Sequence, residues 1–257
     1  MRPAPEGPGY LVETTAGRCR ARRVVIAIGP FQRPRLPPWS ADLPPAVHQL
    51  HSSEYRNPGQ LPPGDVLVVG AGNSGVQIAT ELACNSAGRT VYLAVGDRLP
   101  VLPRRLADRL LFWRIFRLAS VHATVRTRLG RWLSRRDALF GVGPARLARE
   151  HGLVLVGRAT SVEGDRIVAG DNRIGVRTCL WATGFRSDYR WVDVPVFDEL
   201  GRPRQRRGMT AAPGLYFLGL YWQEWVGSAM LGGVGRDATY LARHIAASVA
   251  GQRPETL

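Results

Sequence analysis

Between one apolar run and the next, the chain reads Val66-Leu67-Val68-Val69-Gly70-Ala71-Gly72-Asn73-Ser74-Gly75. The glycines are spaced G-x-G-x-x-G, and where a strand turns sharply into a helix each has its own task. Gly70 permits the tight turn, Gly72 lets the backbone approach a pyrophosphate, and Gly75 lets the helix pack close to the strand. The helix N-terminus, with Asn73 and Ser74 in its first turn, offers N–H groups and a partial positive charge to phosphate. A second strand predicted at 90–95 completes a strand–helix–strand unit, the context that gives the spacing its meaning. The chemistry implied is the binding of a dinucleotide. The alternative is a glycine-rich turn in some other α/β protein.

The end of the second strand decides which dinucleotide. An acid there accepts from a ribose 2′-hydroxyl, whereas an arginine accommodates a 2′-phosphate. The chain has Gly96-Asp97-Arg98, which points both ways, and Arg104 and Arg105 follow closely. Arg98, Arg104 and Arg105 predict NADP, with NAD as the alternative. Read blandly, they are surface arginines of a basic run.

Those residues need elements to hold them. Strands are predicted at 10–14, 23–29, 153–156, 161–163, 166–169, 176–182 and 214–219, and helices at 106–120, 144–151 and 228–249. A Pro-rich connector at 30–45 leads to a loop containing His51 and Tyr55. Residues 126–136 are basic and fit no element. Strands alternating with helices give an α/β fold with a parallel sheet. No internal repeat is apparent.

Composition narrows the class further. All 35 basic residues of the 257 are arginine, the net charge is +15, and 45% of residues are hydrophobic. From Arg98 to Arg136 there are eleven arginines and one acid, Asp108. Such a run serves nucleic acid, a membrane surface or a phosphorylated cofactor, or is a solvated basic face. No nucleic-acid motif accompanies it, so no nucleic-acid partner is expected. Arginine or glycine interrupts the apolar runs, so no membrane span is expected. Cys19, Cys84 and Cys179 lack metal-like spacing and read as reduced thiols. With no apolar leader at the N-terminus, the expected location is the cytoplasm.

Six stretches then occur in order: "VVIAIGPFQRPRLP" (24–37), "LHSSEYRNP" (50–58), "VLVVGAGNSG" (66–75), "LPRR" (102–105), "LWATGF" (180–185) and "PGLYFLGL" (213–220). Together they resemble the flavin-containing monooxygenases, nearest to bacterial flavoprotein monooxygenases and the plant YUCCA type. The resemblance covers most of the chain and is weakest over 121–139. It implies two nested Rossmann-like domains, an FAD domain interrupted by an NADPH domain. Ala27-Ile28-Gly29 matches the outgoing crossing, with Ile in place of the family's Thr, and Ala182-Thr183-Gly184 the returning one.

On that basis residues 1–60 are expected to be a remnant of the FAD domain with a linker, 61–182 the NAD(P)H domain, and 183–257 the closing part of the FAD domain. The family signature between the domains has Phe and Gly where this chain has Pro45 and Val47, while His51 and Tyr55 match. His51 is the catalytic candidate by this match, and otherwise a loop histidine capping a turn. Family members begin with another G-x-G-x-x-G, for FAD. Here about two dozen residues precede the first crossing and carry no such motif, so the FAD site is expected to be incomplete. The implied activity is an oxidoreductase of monooxygenase type: NADPH supplies hydride to FAD, and O2 then oxygenates a small organic substrate. The alternative is a non-catalytic nicotinamide-dinucleotide-binding module. Self-association, or a partner supplying the missing FAD segment, is also expected.

Thr183 and Gly184 are expected where backbone meets cofactor, and Gly219 beside flavin, followed by Leu220 where related flavoproteins often have Asp. "YWQEW" (221–225) lines a pocket or packs the core, and Ser228 and Gly232 open the last helix. No nucleophile–His–acid set and no His/Cys metal cluster is apparent.

Overall fold

The computed structural model describes residues 1–85, 88–96, 101–103, 123–134, 139–141 and 143–250. In chain order the main elements are β1 (Tyr10–Thr14), β2 (Gly17–Ala21), β3 (Val24–Ile26), β4 (His48–His51), β5 (Val66–Val69), α1 (Asn73–Cys84), β6 (Val91–Ala94), α2 (Arg128–Leu133), α3 (Pro144–His151), β7 (Val154–Val156), β8 (Ala159–Glu163), β9 (Arg166–Ala169), β10 (Asn172–Ile174), β11 (Thr178–Trp181), β12 (Leu215–Phe217) and α4 (Val234–Val249). They fall into two compact units interleaved along the sequence. A central unit comprises Pro34–Trp113 and Arg136–Phe185; a terminal unit comprises Met1–Arg33, Arg114–Arg135 and Arg186–Leu257. The central unit thus takes in residues 34–60, expected from the family resemblance to go with the first segment.

The central unit is built on an all-parallel sheet in the order β7-β6-β5-β11-β4. Every residue of β5 and β11 is buried, as a parallel sheet covered on both faces requires. Side chains alternate between the faces. Val66 and Val68 pack with Val76, Ala79 and Leu82 of α1 and Leu147 of α3. Leu67, Val69, Cys179 and Trp181 pack instead with Ile167, Ala169 and Ile174 of the antiparallel β8-β9-β10 sheet. Burial pushes the Cys179 thiol above its ordinary value.

The α/β class and parallel sheet agree with expectation, and α3 and β9 have the expected bounds. His51 does not lie in a loop: it ends β4, which among the described residues is an edge strand paired with β11. A single apolar residue in His48-Gln49-Leu50-His51 hides that strand from a periodicity argument. Residues 128–133, unplaced by sequence, form α2. The helix expected at 106–120 lies outside the described residues.

In the terminal unit β1 and β2 make a hairpin, with Gly17 at φ +127° opposite Thr14. The strands β3 and β12 pair in parallel. Tyr10, Ile26, Tyr189, Val192, Val196, Leu215 and Phe217 share one core. Helix α4 starts at Val234 rather than at Ser228. A Cβ on Gly233 would lie 2.3 Å from the Gly227 carbonyl oxygen, so the intervening residues fold into turns. The Ser228 hydroxyl oxygen accepts from the Glu224 and Trp225 N–H groups.

Asp237, in the first turn of α4, is buried with one carboxyl oxygen lacking a hydrogen-bond partner. Burial raises its pKa, against a hydrogen bond from Ser228. The folded chain therefore holds this proton to higher pH than the unfolded chain, and stability falls as pH rises through that window. Asp237→Asn is expected to raise the melting temperature at neutral pH and to have little effect near pH 4, about the unfolded Asp value. Paired thermal melts across pH check this; a gain that does not grow with pH would refute it.

Candidate functional site

The order of the parallel sheet sets the site. From β5 the chain passes through α1 to β6 on one side, while β11 lies on the other. The connections therefore diverge at the C-terminal ends of β5 and β11, the crevice where α/β sheets take ligands. Residues 70–75 occupy that point.

The three glycines there are glycine for three different reasons. Gly70 has φ +105°, and a Cβ on it would lie 2.5 Å from the Ala182 carbonyl oxygen at the end of β11. Its N–H donates to the Ala94 carbonyl at 3.1 Å, tying the turn to β6. Gly75 lies in the first turn of α1, and a Cβ there would lie 1.8 Å from the Gly70 carbonyl oxygen. Helix and turn are thus in backbone contact. Gly72 is the N-cap of α1 with an extended backbone, φ −73° and ψ −177°. Among the described residues a Cβ on it would meet nothing within 4 Å. The one glycine whose side is open is the one assigned to a pyrophosphate. Asn73 and Ser74 begin α1, whose first turn has no acidic residue to offset the positive end of its dipole.

The returning crossing is held from within the same unit. The Gly184 carbonyl accepts from the Arg35 N–H at 3.0 Å and from His51 Nε2–H at 3.1 Å. Because that carbonyl can only accept, Nε2 carries the proton. His51 Nδ1 then accepts from the Ser53 hydroxyl at 2.8 Å and the Ser53 N–H at 3.2 Å. The ring is buried and edge-on to Phe185, 4.9 Å between centroids. Both nitrogens of His51 are thus engaged, Nε2 holding the Gly184 carbonyl and Nδ1 anchoring the ring to Ser53. The Thr183 hydroxyl donates to the Arg35 carbonyl. Gly184, at φ +79°, has nothing among the described residues within 4 Å of a Cβ position. The Tyr55 hydroxyl donates to Glu81 of α1, and burial is the main cause of its raised pKa.

Arg98, Arg104 and Arg105 lie outside the described residues, as does Asp97. A fourth arginine, missed from sequence, stands at the same strand end. The Arg158 guanidinium carbon lies 3.1 Å from where a Cβ on Gly96 would be, just after β6. Its placement depends on a glycine crossing: a Cβ on Gly157 would lie 2.7 Å from the Gly170 Cα. The Gly170 N–H donates to the Arg158 carbonyl at 3.0 Å. The signal was the Gly157-Arg158 pair directly after a strand parallel to β6, legible only once that pairing is known.

In the terminal unit Gly219 follows β12 with φ +80°, and the nearest atom to its Cβ position is Val234 Cγ2 at 4.0 Å. Gly29 follows β3 with φ +67° and, among the described residues, nothing within 4 Å of its Cβ position. Both parallel strands thus end in an open, left-handed glycine, which suits a ligand lying against backbone. Of "YWQEW", residues Trp222, Gln223, Glu224 and Trp225 are buried while Tyr221 is half exposed. No group of three or more metal-ligating side chains occurs among the described residues, and no described helix is long and apolar enough to cross a membrane.

The family pattern of the pyridine nucleotide-disulphide oxidoreductases matches residues 4–99. The CzcO-like oxidoreductase of Geobacillus kaustophilus is 44% identical over 92% of this chain and 68% of its own. CzcO of Bacillus subtilis is 38% identical over the same shares. An indole-3-pyruvate monooxygenase of rice, YUCCA8, is 28% identical over 82% of this chain and 56% of its own. The flavin-containing monooxygenase of Stenotrophomonas maltophilia shares the fold, with a TM-score of 0.72 at 24% identity over 96% of this chain and 69% of that one. With a 44% identical relative matched over two thirds of its length, and the sheet and glycine turn in the expected places, the chain belongs to the flavin-monooxygenase-like oxidoreductases, on the branch that includes CzcO.

Proposed function

We propose that the chain is an FAD-dependent, NAD(P)H-using oxidoreductase of monooxygenase type, acting with O2 on a small organic substrate. The observation that carries the reading is the residue 70–75 turn at the divergence of the parallel sheet, closed at Gly75 and open at Gly72. In this reading the central unit is the NAD(P)H domain and the terminal unit takes FAD beside Gly29 and Gly219. When bound, FAD supplies the hydride acceptance and O2 chemistry that side chains cannot. The protein's own part is binding, orientation and exclusion of water. Gly72, Asn73, Ser74 and Gly75 present backbone N–H groups to the pyrophosphate, while Gly70, whose N–H is held by the Ala94 carbonyl, makes the tight turn that brings them there. His51 acts as a positioning residue that holds the Gly184 carbonyl, so that Thr183 and Gly184 offer backbone to a cofactor at the crossing. Arg158, with Arg98, Arg104 and Arg105, carries a preference for the 2′-phosphate of NADP.

A second reading, a nicotinamide-dinucleotide-binding module completed by a further flavin-binding segment, has one observation in its favour. The β3–β12 sheet has two strands among the described residues, and Val25 within it and Ile28 just after β3 are 41% and 49% exposed.

One set of measurements tests both. NADPH and NADH are titrated against the purified chain, and its visible spectrum is recorded. NADPH is expected to bind more tightly. Arg158→Ala is expected to weaken NADPH about tenfold, one charge-assisted hydrogen bond of roughly 1.5–3 kcal/mol, and to leave NADH nearly unchanged. Equal loss for both dinucleotides, or tighter NADH binding, would refute the NADP assignment. Stoichiometric flavin absorbance with NADPH-dependent O2 uptake supports the first reading; dinucleotide binding without flavin supports the second.

A further inference from the structure

Residues 109–136 hold eight arginines, two tryptophans and no acid. The described part of this run is not a loose tail. The Thr127 hydroxyl caps α2 by accepting from the Gly130 N–H at 3.0 Å. Arg131 donates to the Arg126 carbonyl at 2.7 Å, and Arg126 is ion-paired to Glu224.

How α2 is turned about its axis is fixed at one glycine. A Cβ on Gly130 would lie 1.8 Å from the Thr124 carbonyl oxygen. The helix thus rides on the preceding backbone along its Gly130 face. Leu129 and Trp132, one helical turn apart, are left 51% and 52% exposed. Arg128 and Arg131 are exposed on the same short helix.

We propose that α2 is a docking surface for an anionic phospholipid bilayer. Arg128 and Arg131 pair with headgroup phosphates, and Leu129 and Trp132 enter the boundary between headgroups and acyl chains. The apolar pair decides between lipid and nucleic acid. Phosphate on a duplex would satisfy the arginines but give Leu129 no apolar partner. A bilayer interface satisfies both kinds of side chain, and indole with its apolar body and N–H is suited to that depth. The chain would then lie against a membrane through α2.

The test is co-sedimentation of the full chain with vesicles of phosphatidylcholine, with and without about a third phosphatidylglycerol, at low salt and at about 0.5 M salt. Binding is expected only with the anionic lipid and is lost at high salt. Arg128→Gln/Arg131→Gln is expected to weaken it about tenfold or more, since each arginine near the surface contributes roughly fivefold. Leu129→Ser/Trp132→Ser is expected to abolish it with circular dichroism unchanged. Arg149→Gln/Arg243→Gln, which removes the same charge elsewhere, is expected to bind as the parent does. With lipids brominated in the acyl chains, tryptophan fluorescence is quenched, and Trp132→Phe removes most of that quenching. Equal binding to neutral vesicles, equal loss in both arginine double variants, or binding of duplex DNA without vesicles would overturn the proposal.

Discussion

Gly72→Val is expected to fold like the parent and lose its dinucleotide, whereas Gly75→Ala is expected to lose stability. The two substitutions fall three residues apart in one motif, yet they meet different surroundings. At Gly72 a side chain has open space on the protein's side and an extended backbone that valine tolerates. The cost to the fold is that of a poorer N-cap, about 1 kcal/mol. The space it fills is the space the pyrophosphate needs. Losing one or two charge-assisted hydrogen bonds, each roughly 1.5–3 kcal/mol, weakens NADP(H) and NAD(H) alike by about a hundredfold. At Gly75 the added methyl would sit 1.8 Å from a backbone oxygen, which no rotamer relieves. Alanine is the better helix former by about 1 kcal/mol, so any loss of stability there is steric. Overpacking of this kind costs roughly 1–3 kcal/mol or more. Thermal melts and fluorescence titrations of both variants give the answer. Undiminished dinucleotide binding by Gly72→Val would sink the site assignment, and a Gly75→Ala chain as stable as the parent would sink the packing argument.

What sequence reveals here is local. The glycine turn is legible because strand, spacing and helix are contiguous, so periodicity and motif reinforce each other. The α3 helix is legible for the same reason: Pro at its first position and Gly152 in the left-handed conformation after its end bracket it. Nothing local marks β4, whose strand character comes from pairing with β11 about 130 residues away. Arg158 is hidden in the same way. Its position at the end of β6 follows from the β7–β6 pairing and from the Gly157–Gly170 crossing, both of them non-local. His51 was singled out by resemblance, but its hydrogen bonds to Ser53 and Gly184 are what give it a physical task. The basic run shows the limit most plainly. In sequence its arginines are interchangeable, and in the fold they are not.

Arg126 is the arginine that stands apart, and replacing it is expected to destabilise the terminal unit strongly. Its Nε and Nη2 donate to one oxygen of Glu224 at 3.0 and 2.6 Å. The Glu224 side chain is 2% exposed, while that of Arg126 is 47% exposed. The burden of desolvation therefore lies on the carboxylate. The surrounding backbone is committed to the same contact, with the Val125 N–H donating to the Glu224 carbonyl at 2.8 Å and Thr124 bridging to Trp225. Arg126→Ala leaves a buried carboxylate without its counter-charge. Breaking a buried pair from one side costs roughly 3–5 kcal/mol; half-exposure of the arginine brings the expectation to about 3. Glu224→Gln leaves an arginine that water can reach, and the expected cost is smaller, about 1 kcal/mol. The decisive variant is Arg126→Ala/Glu224→Gln, which removes both charges. If the penalty in Arg126→Ala is a stranded charge, the double variant recovers most of it. If the arginine acts instead by packing its stem, the double variant is no more stable than Arg126→Ala. Urea denaturation of the four chains, followed by tryptophan fluorescence, separates these outcomes, and a fully additive cycle would show that the ion pair contributes nothing.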